Sequence, residues 1–305
     1  MRIASSQFQG TLTRTMQINE SRLAKLTQQM SSGLRVPLPS DDPISNVRLS
    51  RLTREEAMIA QYQDNIGALK IRLQKNEGYL SSMSNDMQQA RDLLVWALDG
   101  GNAATDLNAM VGSLQSLKQS LLFTANSTDQ EGRYVFSGTM TGTRPVTDSG
   151  IPAAPGVPRY TFVGNTDQQQ VVVGNSITQS ANVDIKGIED LLNLLDQTIG
   201  ALSVPGVSIN DPATRAVVAS TLDGVDTAMD TVGVKIASLG GAQNILSTLA
   251  ANHSNVSVSN QSALLDIGKL DYYAAASDLA GYTMAMQATQ KAYAKVSQLT
   301  LFDLL

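Results

Sequence analysis

The residues that could do chemistry are few and poorly placed for it. The chain of 305 residues holds one histidine, His253, and no cysteine. Disulfides, thiol catalysis, thiolate zinc sites and iron–sulfur clusters are thereby excluded, and one imidazole cannot build a His-rich metal site. His253 falls on the seam of a long helical pattern and reads as a packed polar interruption. Asp41 and Asp42 are adjacent. Neighbouring side chains do not face a common point, as a general acid and base must, so the pair reads as a helix cap. H-E-x-x-H, G-x-S-x-G and G-x-x-x-x-G-K-[ST] are all absent. Across 130–186, Arg133, Arg144, Arg159, Asp148 and Asp167 stand out among other charges and scattered hydroxyls, with no convergent set. N-x-[ST] triplets include those that begin at Asn126, Asn252, Asn255 and Asn260; such matches arise by chance in Ser/Asn-rich helices. The expectation is no enzymatic activity, no cofactor and no metal.

What the sequence does carry is periodicity. In the first 36 residues, steps of four and three pick out Leu12, Met16, Asn19, Leu23, Leu26 and Met30, one face of a helix. Asn19 is a lone polar seam position of the kind that fixes register at some cost in stability. Gly33 ends this helix, and Pro37 and Pro39 bar its continuation. Asp41-Asp42-Pro43 opens the next one, with carboxylates at the N-terminus and proline in the first turn. Its stripe runs through Leu52, Ile59, Ile66, Leu73, Leu80, Met87 and Leu94. That is about 43 residues, or about 65 Å, well beyond an average helix. Asp99-Gly100-Gly101-Asn102 breaks it, and a further helix is expected over about 104–127.

From about 131 the period changes. Tyr134 and Phe136, inside Gly132–Gly138, fall on one strand face. Prolines 145, 152, 155 and 158 exclude helix. Arg159–Val163 and Gln168–Val173 read as strands, each followed by a Gly-Asn turn signal, with Val183–Ile185 as a further short strand. Helix returns over about 187–202. Asp211-Pro212 then caps a second long stripe, from Val218 to His253. The last seam is Tyr272, Ala275, Leu279, Tyr282, Met286, Thr289, Tyr293 and Val296. The chain closes on Leu301, Phe302, Leu304 and Leu305, an apolar end that is costly to leave in water.

The fold expected is mainly α with a small β insert: an elongated antiparallel helical rod with paired terminal helices and one outer β domain projecting from its far end. Its segments are 1–40 plus 268–305 as a terminal coiled-coil inner domain, 41–130 plus 187–267 as a long-helix rod domain, and 131–186 as the β domain. A terminal amphipathic helix cannot bury its stripe on itself and needs the other terminus or another subunit. The net charge of −5 weighs against nucleic acid as a partner. Residues 1–40 nevertheless hold Arg2, Arg14, Arg22, Lys25 and Arg35 against one acid, Glu20, either a solvated face or a complement to an acidic neighbouring subunit. The opening MRIASSQFQG lacks the apolar core of a secretory signal, and no run reaches the roughly 18 apolar residues of a membrane span. The expectation is a chain that is cytoplasmic or exported without signal cleavage, with no membrane partner.

Ser31-Ser32-Gly33-Leu34-Arg35-Val36, followed by Ser40-Asp41-Asp42-Pro43, resembles the N-terminal signature of bacterial flagellins and their hook-associated relatives. Leu270-Asp271-Tyr272 through Leu305 is similar to the matching C-terminal region. Together these cover about the first 95 and the last 45 residues. Gly132–Gly138-Thr, Tyr160 through Gly164-Asn165, and the ending Gln298–Leu305 resemble one branch, the hook–filament junction proteins. The resemblance implies an extracellular structural protein of the flagellum, exported unfolded by the flagellar type III apparatus. It implies a homo-oligomeric ring between a second hook-associated junction protein on the hook side and flagellin on the filament side. It also implies an export chaperone bound through the C-terminal region. A short flagellin, or a cytoplasmic coiled-coil binding module, are the alternatives. Ordering an arm of about 35 residues costs roughly 1–2 kcal/mol per residue, more than one stripe offsets in a monomer. Residues 1–36 and about 268–305 are therefore expected to be mobile in the free subunit and to fold on assembly.

Overall fold

The computed structural model describes residues 2–302, with side chains described for 7–295. Six helices run in order: α1 Arg2–Ser32, α2 Pro43–Ala97, α3 Ala104–Ala125, α4 Ile188–Leu202, α5 Pro212–Gly268 and α6 Tyr272–Phe302. Between α3 and α4 lie four short strands: β1 Val146–Asp148, β2 Tyr160–Phe162, β3 Gln170–Gly174 and β4 Ile177–Ser180. This is the mainly α chain with a small β insert that the periodicity calls for. It forms two compact units, Met1–Ala60 with Ser254–Leu305, and Gln61–His253.

In the unit 61–253, α2 turns its stripe inward: Leu73, Leu80, Met83, Met87, Ala90 and Leu94 are fully buried, with Asn76 a buried polar position among them. They share one core with Leu107, Leu114 and Leu121 of α3, Leu191, Leu192 and Leu195 of α4, and Val218, Val225 and Leu246 of α5. α2 stops where the Trp96 carbonyl finds a side-chain partner, Asn102 Nδ2 donating at 2.6 Å, and in the turn that follows Asp99 Oδ1 accepts from the Gly101 amide at 3.1 Å. The Asp106 carboxylate then caps α3 by accepting from the Ala103 amide at 3.1 Å.

The insert forms two antiparallel pairs, β1 with β2 (Val146 opposite Phe162) and β3 with β4 (Gln170 opposite Ser180). Residues 132–138 do not form the strand that Tyr134 and Phe136 suggest. Val135 through Gly138 are four consecutive buried residues, bounded by Gly132 and Gly138 at positive φ. Phe136 packs edge-on against Tyr79 of α2, with ring centroids 6.1 Å apart. The aromatic pair therefore reports packing onto a helix rather than sheet alternation. Residues 183–185 are likewise outside any strand, whereas β1 and β4 carried no legible signal.

Phe136, Val146, Tyr160 and Val173 belong to the same core as the helices. Asn65 of α2 donates to the Val172 carbonyl at 2.8 Å, and His253 of α5 bonds the Val173 carbonyl at 2.8 Å while stacking on Tyr62 at 5.4 Å. At the other pair, one Asn193 side chain stands in for a neighbouring strand. Its Oδ1 accepts from the Arg159 and Tyr160 amides at 2.8 and 2.9 Å, and its Nδ2 returns a bond to the Tyr160 carbonyl at 2.8 Å. Beside it, Asp196 accepts from Lys118, from the Ala153 amide at 2.9 Å and from Arg159 at 3.1 Å. Arg159 also grips Asp148 bidentately at 2.8 and 3.1 Å. The Tyr160 ring lies under both cations, and burial pushes its phenol up to about 12.

Candidate assembly surface

In the other unit, α1 pairs with α6. Leu26, Leu270 and Ala275 form its buried centre, with Met30, Leu279 and Tyr282 packed around them. Asn19 is buried as well, at 7% exposure. Away from this centre the seam is only half covered: Leu12, Met16 and Leu23 on α1, and Met286 and Thr289 on α6, are half-buried. Tyr272 and Tyr293 stay exposed. Arg22 stacks over the Tyr282 ring at 5.8 Å, a cation–π contact. The side chains of Val296 and Phe302, and Leu304 and Leu305 entirely, lie outside the described residues.

The Ser31–Pro43 signature builds a joint. Gly33 takes φ 70°, which glycine adopts without steric cost, and its amide bonds the Gln29 carbonyl at 2.8 Å to end α1. Ser32 Oγ accepts from the Leu34 amide at 3.3 Å, and Ser31 Oγ bonds the Gln28 carbonyl at 3.0 Å. Leu34 then bridges Lys269 in antiparallel fashion. The Arg35 amide donates to the Gly268 carbonyl at 2.8 Å, and the Leu270 amide donates to the Gly33 carbonyl at 3.0 Å. The two chain reversals, α1 to α2 and α5 to α6, are thus zipped together by backbone bonds.

Arg35 fixes this joint with its side chain. Nε donates to the Ile267 carbonyl at 2.8 Å, in the last turn of α5 where carbonyls lack helical partners. Nη2 donates to Ser45 Oγ at 2.8 Å and reaches Asp42 at 3.4 Å. Asp42 caps α2 by accepting from the Ser45 amide at 3.0 Å, with Pro43 in the first turn. Hydrogen bonds from Ser45, assisted by the Arg35 charge, hold the Asp42 carboxyl below its ordinary range. Asp41 pairs with Lys25 at 2.8 Å. On the other side Asp271 caps α6 through the Tyr273 and Ala274 amides, and Tyr272 Oη bonds the Met30 carbonyl at 3.1 Å. The sequence singles out Arg35 only as part of a resemblance, and its role on α5 was not legible, because Ile267 is 232 residues away.

Ile44, Val47, Leu265, Tyr273 and Met284 are each more than 60% exposed. Among the described residues no cluster of His, Cys, Asp or Glu could hold a metal ion, and no helix is long and apolar enough to cross a membrane.

The site is thus built from paired terminal helices, a zipped joint and the joint-side ends of two helices of 55 and 57 residues. The bacterial flagellin N-terminal helical region matches residues 3–141. A flagellar hook-associated protein from Vibrio parahaemolyticus is 30% identical, with a TM-score of 0.68 over 75% of this chain and 100% of that one. The chain belongs to the flagellar hook-associated proteins. Flagellar hook-associated protein 3 of Escherichia coli (strain K12) is 28% identical over 322 aligned positions, which span 100% of this chain and 99% of that protein. A flagellar junction protein from Legionella pneumophila shares the fold at 15% identity, with a TM-score of 0.56 over 66% of this chain and 99% of that one. These relatives make the chain a structural protein of the bacterial flagellum.

Proposed function

We propose that this chain forms the junction layer between the flagellar hook and filament. The half-covered α1–α6 seam carries this reading. Two paired helices leave Leu12, Met16, Leu23 and Met286 half in water, and further helices of the same kind are what would cover them. The end-to-end likeness to a hook-associated protein supports the reading, as does the junction assignment of the Legionella protein that shares the fold. In this reading copies form a homo-oligomeric ring, with a second hook-associated junction protein on the hook side and flagellin on the filament side. The chain leaves the cell unfolded through the flagellar export apparatus, held before export by a chaperone at its C-terminal region, and does no catalysis. Segments 1–40 and 268–305 make the inner layer, 41–130 and 187–267 the layer around it, and 131–186 the outer face. Removing the chain from a motile bacterium tests this. Hooks should remain, filaments should be missing, and flagellin should appear in the medium. Filaments attached as before would overturn the junction role.

A further inference from the structure

The unit 61–253 carries two features that its own packing does not use. Phe123, in the last turn of α3, is 79% exposed, while Leu121, Thr124 and Ala125 beside it are buried. Its ring therefore stands straight out from the core. Elsewhere a cavity of about 260 Å³ opens between α4 and α5, floored by Met83, Leu191 and Val232 and rimmed by Lys186 and Thr227.

Phe123 is level with the Met83 end of this cavity. Ser120 of α3 donates to Asp86 of α2 at 2.6 Å, which sets those residues side by side. α3 runs back along α2, so Phe123, three residues on, comes level with Met83, three residues earlier on α2. Met83 is the cavity floor. They also open on different sides. α3 packs on α4. α4 meets α5 through Thr198 and Thr221 at 2.7 Å, and α5 meets α2 through Asp226 and Arg91 at 2.7 Å. A closed circuit of four helices puts α3 and α5 at opposite corners.

A knob and a hole at one height on different sides of a subunit make a head-to-tail contact between parallel copies, which closes into a ring when the rotation permits. We propose that Phe123 of one copy enters the α4–α5 cavity of the next; this rests on the ring reading above. Phe123 sits at the carbonyl end of α3, whereas the cavity mouth carries the amide end of α4 at Gly187, so opposite helix dipole ends meet. At that mouth Asp184 already holds Lys235 at 3.1 Å, which leaves Lys186 and Asp190 on the rim. One phenylalanine buries about 150–250 Å², far short of the roughly 1,200 Å² of a stable pair. The contact therefore sets the register of neighbours that the terminal helices bring together, and holds no dimer by itself.

The absence of native cysteine makes the test direct. Full-length chain carrying both Phe123→Cys and Thr227→Cys is expressed in a motile strain, and isolated flagella are treated with a short bis-maleimide. A ladder of chain multiples is expected from the double variant, and none from either single variant. A double variant present in flagella without a ladder overturns the contact, as does self-linking of Phe123→Cys alone. Phe123→Asp provides a second measurement. The side chain faces water, so the thermal melt should be unchanged while incorporation falls about tenfold; full incorporation overturns the proposal. If the unaltered chain is itself missing from flagella, the junction reading fails, and the contact with it.

Discussion

The hydroxyl of Tyr272 stands 3.2 Å from where a side chain on Gly33 would begin. Gly33 also sits at φ 70°, so glycine is required there twice, by backbone conformation and by space. Gly33→Ala should cost roughly 1–2 kcal/mol from the left-handed backbone alone, with more from the approach to Tyr272. Adding Tyr272→Phe should relieve only the second part, while giving up the bond to the Met30 carbonyl. Amide exchange at Leu34 and Leu270, compared across the two variants, checks this; identical exchange in both would separate Tyr272 from the joint.

Arg35 serves three acceptors on two helices, and its planar fork is what lets it do so. Arg35→Lys keeps the charge but not the geometry. The joint should loosen, with faster exchange at the Arg35 and Leu270 amides and a rise in the Asp42 pKa toward its ordinary value. An NMR titration of Asp42 reads the second effect. An unchanged titration would mean that Ser45 alone sets the carboxyl.

The insert should be acid-labile. Arg159 hydrogen bonds hold the Asp148 carboxyl below its ordinary range. For Asp196, burial pushes upward but is outweighed by Lys118, the Ala153 amide and Arg159, so it too is lowered. Both folded-state values lie below the unfolded value of about 3.9. Their stabilisation is therefore complete above that value and is lost as pH falls through the folded ones. Fluorescence of Tyr160 between pH 6 and 2 should show the insert loosening in that acid range. Asp196→Asn, which leaves Lys118 buried without its carboxylate partner, should destabilise the unit 61–253 by about 3–5 kcal/mol at neutral pH. Denaturant melts measure it, and a loss under 1 kcal/mol would mean that Lys118 finds water.

The terminal seam should matter only in the assembly. Leu23→Asp or Leu279→Asp should block incorporation into flagella while the thermal melt of the unit 61–253 stays unchanged. Filament growth supported by either variant would make the seam assignment wrong. Hydrogen exchange on the free full-length chain gives the complementary reading, with fast exchange expected over 1–36 and 268–305 around a protected remainder.

The order and the faces of the helices were determined by the sequence itself. A period of three to four residues is a local property, and it carried α1 through α6 with ends marked by Gly33, Asp42-Pro43 and Asp211-Pro212. A seam that includes Leu26 and Ala275 could be read the same way, because each helix shows its stripe without knowing its partner. The tertiary structure decided everything that depends on distant pairs. Lys118 sits between Leu114 and Leu121 on a buried stripe, a signal that it must have a partner, yet that partner is Asp196, 78 residues on. His253 is positioned by Val173, 80 residues away, and Arg35 by Ile267, 232 residues away. Residues 132–138 alternate like a strand and pack as a loop, because burial against Tyr79 satisfies the same aromatic side chains that a sheet would. Apolar patterning is repeated many times along a helix and survives in one dimension. A polar pair is made once, between two points that only the folded path brings together.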